Sequence, residues 1–316
     1  MTGAPTIGLI SNPRSGHNRQ QFSALRPALD ARVGGLHRVT ADCAAVAPAL
    51  AALRAAGVDI LAINGGDGTV ATVLGQLLQQ EDWPRLPAIL ILPAGTANMT
   101  AGDVGMRGSL RAAVRRFCAW DPRRDAAASL QRRMLRLRDG GRTRHGFFLG
   151  GGAVIAGTEF AHASLHARGL RDDFSLALGV ARTIWGIARR DPRFLRRTPL
   201  TLRADDAPPL SVDGLVLAIS TLERLAFGMR PFWGSGAGGA RLTLIEHGCR
   251  RFVPNFLRII AGRPGAGCRP QRGYHSLAFD RLQLLSSGQL NLDGELLQGG
   301  RALQLTATRP LRFLRP

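Results

Sequence analysis

Three short apolar segments in the first hundred residues each run directly into a glycine-containing loop. The segments TIGLIS (6–11), DILAIN (59–64) and PAILILP (87–93) predict buried strands, because short apolar runs bounded by turn signals are typical of such strands. A fourth strand is predicted at 36–41, and helices are predicted at 20–32, 43–57, 69–78 and 108–119. Strands that alternate with helices predict a parallel α/β sheet with right-handed crossovers.

The pattern changes after residue 125, where short strand-like runs follow one another closely. They lie at 132–138, 144–151, 199–204, 213–220, 240–246, 277–286, 289–295 and 302–308, with helical patches at 174–190 and 252–262. Closely spaced strands with glycine turns predict an antiparallel β-sandwich. We therefore expect two domains, 1–125 and 126–316.

The loops that follow the three apolar strands have the composition of a phosphate-binding site. Ligands of an open parallel sheet bind beyond the carboxyl ends of its strands, where glycines let backbone N–H groups approach phosphate oxygens. Helices that start near Thr69 and Thr96 would add their positive N-terminal ends, and Arg14 could supply a cation. The candidate nucleotide-binding residues are Asn12, Ser15, Gly16, Gly65, Gly66, Asp67, Gly68, Thr69, Gly95, Thr96 and Asn98.

The chain has no lysine, so all 42 of its Lys+Arg residues are arginine. This excludes a Walker A loop and the strand lysine of protein kinases. The segment GGDGTV also differs from a dinucleotide-binding fingerprint, because Asp67 stands where a pyrophosphate would approach. A carboxylate beside phosphates needs an intervening metal or acts on a nearby hydroxyl, and both uses are typical of phosphoryl transfer.

Four motifs together resemble the diacylglycerol kinase catalytic-domain family, which includes soluble bacterial diacylglycerol kinases and sphingosine kinases. They are SNPRSG (11–16), NGGDGTV (64–70), LPAGTANMTA (92–101) and LDGE (292–295). The resemblance implies a phosphofructokinase-like first domain, a β-sandwich second domain, and a C-terminal segment (303–316) that returns to the first domain. It implies ATP and Mg²⁺ in the cleft between the domains, and a membrane lipid as phosphoryl acceptor.

The resemblance also implies catalytic roles for Asp67, Asp293 and Glu295, with Mg²⁺ held through the nucleotide by Asp67 and Asp293. Either Asp67 or Asp293 would take the proton from the lipid hydroxyl. From the residues alone, Asp293-Gly294-Glu295 also fits a simple hairpin turn. The chain departs from the family at Met99, where an acid is usual, and at 234–240, which lacks the acidic pair of a structural Mg²⁺ site.

The formal net charge of +20 predicts an anionic partner. Because only 6% of residues are aromatic, we favour an anionic membrane surface and expect no nucleic acid. The scattered cysteines, the first residues without a signal-peptide pattern and the lack of a long apolar run indicate a cytoplasmic, peripherally membrane-associated protein. A homodimer is left open, as is the identity of the lipid, with diacylglycerol ahead of ceramide or a sphingoid base.

Two further segments are candidates for membrane contact. Residues 173–197 combine apolar residues with arginines. We favour a core helix with a solvated basic end for this segment; the alternative is an interfacial element with Trp185 and Phe194 at the membrane boundary. A second group could line an acyl-chain entrance: Phe227, Met229, Phe232 and Trp233. His162 and His166 are four residues apart but lack the glutamate of a zinc protease motif, so they are interpreted as ordinary polar residues.

Two other functions remain open. A soluble-metabolite kinase of the NAD kinase or phosphofructokinase type shares the GGDG sequence. A catalytically silent nucleotide- or lipid-binding protein would account for Met99 and the missing acids near 235–239.

Overall fold

The structure is a computed structural model that describes residues 4–80, 83, 85–157, 181–189, 191–195 and 197–316. The chain forms two compact units. The first unit comprises Met1–Arg132 and Pro310–Pro316, and the second comprises Arg133–Arg309.

The first unit contains, among the described residues, a six-stranded sheet in the order β2-β1-β3-β4-β17-β5. Its strands are β1 (Ile7–Ser11), β2 (His37–Val39), β3 (Ile60–Gly65), β4 (Ala88–Pro93), β5 (Ala128–Arg132) and β17 (Leu311–Arg315). The first four are parallel, whereas β17 runs parallel to β4 and antiparallel to β5. The last strand of the chain therefore lies in the sheet of the first unit.

Helices connect the parallel strands of this sheet. They are α1 (Asn18–Val33), α2 (Val46–Ala55), α3 (Asp67–Gln79), α4 (Met99–Asp103) and α5 (Leu110–Ala119), with a 3₁₀ turn at Gly34–Leu36. All residues of β1, β3 and β4 are buried, as expected for parallel strands that are covered on both faces. This burial explains why their sequences are continuous apolar runs rather than alternating ones.

The second unit contains, in the part that the structure describes, an eleven-stranded antiparallel sheet. Its strands are β6 (Leu135–Asp139), β7 (Arg142–Gly146), β8 (Phe148–Gly152), β9 (Thr198–Ala204), β10 (Leu210–Ser220), β11 (Ala240–Glu246), β12 (Tyr274–Phe279), β13 (Arg281–Ser286), β14 (Leu290–Leu292), β15 (Glu295–Leu297) and β16 (Ala302–Ala307). The order is β15-β14-β8-β10-β9-β13-β16-β6-β7, and β11 pairs with both β10 and β12.

Two apolar clusters form the core of the second unit. One is built mainly from leucines of the sheet, such as Leu135, Leu217 and Leu305. The other includes Ile245, Ile259 and Tyr274, against which helix α6 (Phe252–Ile260) packs. Short 3₁₀ turns lie at Ala226–Gly228 and Pro270–Arg272, and residues 153–157 and 181–188 are helical.

The fold class predicted from the sequence is confirmed: an α/β first domain with a mostly parallel sheet is followed by an antiparallel β domain. Some strands differ in extent. The predicted strand 277–286 is divided into β12 and β13, because the Asp205 carboxylate accepts N–H groups of Asp280 and Arg281 at a turn. Strand β5 was not predicted, because its sequence ASLQR contains only two apolar residues, an exposed alanine and a partly buried leucine. Most of the predicted helix 174–190 lies outside the described residues.

Among the described residues, no helix is both long enough and apolar enough to cross a membrane.

Candidate functional site

The three glycine-containing loops follow β1, β3 and β4, which are neighbours in the sheet. Because these strands are parallel, all three loops leave the same edge of the sheet. The first loop is held to its neighbours by backbone hydrogen bonds, from Asn12 N–H to the Asn64 carbonyl (2.9 Å) and from His17 N–H to the Ala94 carbonyl (2.9 Å). The topology thus brings the predicted nucleotide-binding residues of the first unit together.

The hydroxyl of Thr69 joins the first loop to the second. It accepts a hydrogen bond from Nδ2 of Asn12 at 2.9 Å and lies 3.1 Å from Oγ of Ser15. Ser15 Oγ in turn accepts the N–H of Gly66 at 3.3 Å. The side chain of Thr69 also occupies the space beside Gly65, where a Cβ atom would lie 2.6 Å from Cβ of Thr69. These contacts fix the start of helix α3 against the SNPRSG segment.

The second and third loops touch through their backbones. A Cβ atom on Gly95 would lie 2.5 Å from Cα of Gly66, so both positions require glycine. The Asn98 side chain closes the third loop, because its Oδ1 accepts Gly95 N–H at 2.9 Å and its Nδ2 donates to the Gly95 carbonyl at 2.7 Å. Asn98 adopts φ of 44°, a left-handed conformation that asparagine tolerates better than most residues.

Asp67, at the start of α3, uses its carboxylate to bind the start of α4. Its Oδ2 accepts Met99 N–H at 3.0 Å and its Oδ1 accepts Thr100 N–H at 2.9 Å. Burial raises the pKa of the Asp67 carboxyl above its ordinary value, and the two N–H donors offset part of that rise. No described cation forms an ion pair with Asp67.

This arrangement corrects one sequence-based expectation. The third loop was expected to present a free positive helix end near Thr96. Helix α4 instead begins at Met99, and its first two N–H groups are already bound by Asp67. Thr96 lies before this helix and is partly exposed.

The start of α3 keeps the properties of an anion-binding site. Gly66 is its N-cap and provides no side-chain cap, so the first N–H groups of this 13-residue helix have no intrahelical acceptor. Gly68 is exposed, and no atom lies within 4 Å of the position that a Cβ on it would take. Gly16 and Arg14 lie in the adjacent first loop, where the Arg14 side chain is exposed. The helix dipole and the free N–H groups favour phosphate here.

Two asparagines beneath the loops have structural roles that the sequence did not indicate. Nδ2 of Asn18, at the start of α1, donates to the Asn12 carbonyl at 2.8 Å and to Oδ1 of Asn64 at 3.1 Å. Both asparagines are buried, and Asn64 also donates to Oγ of Ser11 at 3.2 Å. Asn64 is the first residue of the NGGDGTV motif, whereas nothing in the spacing distinguishes Asn18 from an ordinary helix-start residue.

The second unit contains the other two predicted catalytic residues. Asp293 and Gly294 form the two-residue turn between β14 and β15, so the hairpin interpretation of LDGE is confirmed. The Asp293 carboxylate accepts the N–H groups of Phe147 at 2.6 Å and Phe148 at 2.9 Å. Glu295 is exposed and pairs with Nε of Arg144 at 3.0 Å. Neither Arg144 nor the two phenylalanine N–H groups carried a recognisable sequence signal.

The described residues contain no group of three or more histidine, cysteine, aspartate or glutamate side chains that could hold a metal ion by themselves. Mg²⁺ in kinase sites is bound through one or two carboxylates together with substrate phosphates. The oxygens of the Asp67 carboxylate are hard ligands, and this carboxylate has no cationic partner in the described chain, so it fits that kind of site.

Comparison with known proteins identifies the first domain. Residues 6–128 match the family model of the diacylglycerol kinase catalytic domain. Over these residues the chain is similar to that family. The chain is also 35% identical, over 115 residues, to the probable lipid kinase YegS of Escherichia fergusonii. That match spans 36% of this chain and 38% of the curated relative, well under half of either protein.

Solved structures are similar to this chain in fold over its full length. A "putative diacylglycerol kinase" from Bacillus anthracis has a TM-score of 0.70 and 15% identity, and the match covers 100% of this chain and 98% of that one. A second structure described in the same words has a TM-score of 0.67 and 15% identity, with coverage of 100% and 99%. At this identity the comparison establishes the fold of both domains.

The family's structural Mg²⁺ site, expected near 234–240, is not supported by the residues of this chain. The loop packs its backbone directly onto β12, since a Cβ on Gly234 would lie 2.3 Å from the Ser276 carbonyl oxygen and one on Gly238 would lie 2.3 Å from Phe279 N. Oδ1 of Asp280 accepts Gly239 N–H at 2.9 Å. The glycines at this position permit close backbone packing and provide no carboxylate ligand.

The other candidates divide into described and undescribed residues. Phe194 is buried in the second core cluster, which agrees with the favoured core interpretation and excludes the alternative position of Phe194 at a membrane boundary. Trp185 is 49% exposed and lies between Arg182 and Arg189, whose Cζ atoms are 4.8 and 4.4 Å from the ring centroid. Trp233 packs against the second cluster, whereas Phe227 is 58% exposed. His162 and His166 lie outside the described residues.

Proposed function

We propose that the protein is an ATP-dependent lipid kinase that transfers the γ-phosphoryl group of ATP to a hydroxyl of a membrane lipid. Diacylglycerol is the first candidate acceptor, and ceramide and sphingoid bases are the next. One observation carries the proposal. Hydrogen bonds hold three loops together around a helix start that has no side-chain cap, in a domain that matches the diacylglycerol kinase catalytic-domain model.

The loops of the first unit would bind the nucleotide. Free N–H groups at the start of α3, around Gly68 and Thr69, would hold phosphate oxygens, and the helix dipole would stabilise their charge. Ser15, Gly95 and Asn98 would keep this geometry fixed, because Ser15 Oγ accepts the N–H of Gly66 and the Asn98 side chain binds the backbone of Gly95. Such preorganisation is the main contribution a protein makes to phosphoryl transfer.

Two carboxylates remain candidates for the proton acceptor. Asp67 would face the phosphates, and its raised pKa makes it a better proton acceptor than an exposed aspartate. Asp293 is the second candidate. Glu295 would support it indirectly, because Glu295 forms an ion pair with Arg144. Bound Mg²⁺ would neutralise phosphate charge during transfer, with Asp67 and Asp293 as the residues proposed to hold it through the nucleotide.

The acceptor lipid requires contact with a membrane, so we propose that the protein works as a peripheral protein on an anionic membrane surface in the cytoplasm. The net charge of +20 supports this partner.

The test is an assay with γ-labelled ATP, Mg²⁺ and mixed micelles that each contain one candidate lipid. We expect label in one lipid class, and a loss of at least about a hundredfold in Asp67→Asn. Asp42→Asn is the matched control, because Asp42 is an exposed aspartate of the same unit that binds Ala45 N–H at the start of a helix.

Other outcomes would select a different function. Labelling of a water-soluble acceptor in preference to every lipid would favour a soluble-metabolite kinase. Tight ATP binding without turnover in any assay would favour a silent nucleotide-binding protein, for which Met99 and the glycine loop at 234–240 are the first positions to restore to acids.

A further inference from the structure

The segment around helix α6 is strongly basic. Residues 247–273 contain six arginines and no aspartate or glutamate. Arg230 lies beside this segment, because its N–H donates to the Ile260 carbonyl at 2.9 Å. All seven arginines are exposed, and within the described chain none of them forms an ion pair: Arg230, Arg250, Arg251, Arg258, Arg263, Arg269 and Arg272. A cluster of unpaired positive charge of this size attracts an anionic partner.

Helix α6 is covered by the core on only part of its apolar face. Ile259 is buried, and Phe252 and Phe256 stack with a centroid distance of 5.1 Å and pack against the second core cluster. At 100° per residue, Val253, Leu257 and Ile260 lie on the adjoining side of the helix. Leu257 is 47% exposed, so the apolar face continues from the core into solvent.

The turn that precedes Arg230 adds an exposed aromatic ring. Phe227, in the 3₁₀ turn Ala226–Gly228, is 58% exposed and has φ of 57°. A bulky residue in the left-handed region is strained, and Phe227 does not offset that strain by burying its ring. Strained residues that persist without a packing reason cluster at functional sites. Because Arg230 N–H binds the Ile260 carbonyl, this turn adjoins the last turn of α6.

We propose that these residues form a docking surface for a lipid bilayer that carries anionic phospholipids. The α6 surface comprises helix α6, Phe227 and the seven arginines. Leu257 and Phe227 would insert among the lipids, and the arginines would bind the phosphate groups around them. This inference rests on the proposed function, since it specifies how such a kinase would reach a lipid acceptor.

The chemistry of the surface favours a bilayer over other anionic partners. Single-stranded nucleic acid stacks its bases on exposed aromatic side chains, whereas the two aromatic rings of α6 stack on each other and pack against the core. A second copy of this chain carries the same positive charge, which opposes a symmetric contact through this surface. Exposed apolar side chains in a segment with many exposed arginines match the interfacial region of an anionic membrane.

Vesicle sedimentation without ATP tests the surface separately from catalysis. The full-length protein is mixed with vesicles of neutral phosphatidylcholine, alone or with about one third phosphatidylglycerol. We expect binding only to the anionic vesicles, weakened by salt. Leu257→Gln should weaken binding about tenfold. The double variant Arg258→Gln/Arg263→Gln should weaken it by about fivefold per arginine.

Matched controls exclude a general effect of polarity or charge. Leu285 is 45% exposed and Arg203 is exposed, and they lie on β13 and β9, which contribute nothing to the α6 surface. Leu285→Gln and Arg203→Gln should bind vesicles like the wild type. Phe227→Gly is the third test variant, because it relieves the left-handed strain. We expect it to bind vesicles several-fold more weakly while its melting temperature does not fall.

Wild-type binding by Leu257→Gln, Phe227→Gly and the double arginine variant would overturn the docking surface. So would equal binding to neutral vesicles, a dimer in light scattering that Leu257→Gln dissociates, or binding of duplex DNA in place of vesicles. Vesicle binding that maps to the α6 surface without any lipid phosphorylation would support the surface and refute the kinase proposal. Lipid phosphorylation in micelles with unaltered vesicle binding by the variants would refute the surface alone.

Discussion

Gly66 and Gly95 are in backbone contact across two loops that are almost thirty residues apart in the sequence. A Cβ on Gly95 would lie 2.5 Å from Cα of Gly66, and a Cβ on Gly66 would lie 2.9 Å from Cα of Gly95. Real Cβ atoms do not approach backbone atoms so closely, so neither loop can keep its position with a larger residue. The contact explains why both motifs carry glycine at these positions, independently of any ligand.

The first prediction concerns this contact. Gly95→Ala should lower the free energy of unfolding by about 1–3 kcal/mol, because the loops must separate to accept the methyl group. ATP affinity should fall with it. Gly102→Ala is the control, since Gly102 lies in helix α4 with no atom within 4 Å of the position that a methyl group would take, and it should be neutral or slightly stabilising. Chemical denaturation and calorimetric titration measure both effects, and a Gly95→Ala protein as stable as the wild type would contradict the prediction.

The second prediction separates stability from binding at Gly68. This residue lies in the first turn of α3, is exposed, and has open space around its missing side chain. Gly68→Ala should therefore stabilise the ligand-free protein by about 0.5–1 kcal/mol through helix propensity. It should also weaken ATP binding, because the methyl group would stand where phosphates approach the helix start. Gly102→Ala again serves as control and should leave ATP affinity unchanged. Unchanged affinity in Gly68→Ala would remove Gly68 from the proposed phosphate site.

The third prediction concerns the hairpin of the second unit. Asp293→Asn keeps a residue that tolerates φ of 47° and retains one acceptor for the N–H groups of Phe147 and Phe148. We expect a folded protein in which phosphoryl transfer is at least about a hundredfold slower. Glu295→Gln should cost less than about 1 kcal/mol of stability, because its pair with Arg144 is exposed. An Asp293→Asn protein with wild-type turnover would assign the proton acceptor to Asp67 instead.

The sequence predicted the parts of this fold that depend on local pattern. Strands β1, β3 and β4 are continuous apolar runs that lead into glycine-containing loops, so their identity and the position of the loops could be inferred directly. Strand β5 could not, because its residues ASLQR lie at an edge and carry little apolar signal. The turn that divides the predicted strand 277–286 into β12 and β13 depends on Asp205, which is more than seventy residues away in the chain.

The candidate site shows the same division. The motifs located the loops, but only the tertiary structure reveals that Asp67 binds the backbone of Met99 and Thr100. This contact uses the Met99 N–H and not its side chain, so the departure from the family at Met99 leaves it intact. For Phe194 the sequence left a core position and a membrane-boundary position open, because an aromatic residue among arginines gives no indication of which neighbours cover it.

The last prediction uses His145, the half-buried histidine of β7. Burial lowers the pKa of His145 to about 4, with a further contribution from the charge of Arg136, and its Nδ1 has no hydrogen-bond partner in the described structure. The unfolded chain binds a proton at His145 near its ordinary pKa of 6.5, whereas the folded protein does not until the pH approaches 4. The stability of the folded state should therefore decrease as the pH falls from about 6.5 to 4.

His145→Leu should flatten this part of the stability profile. The pKa shift corresponds to at most about 3 kcal/mol, and solvent screening at this partly exposed residue reduces the expected difference to about 1–2 kcal/mol. Denaturation midpoints of both proteins at pH 7, 5.5 and 4.5 measure the effect. Parallel profiles for wild type and variant would mean that His145 has the same pKa in the folded and the unfolded protein. Solvent or a neighbouring acceptor would then reach its Nδ1 atom.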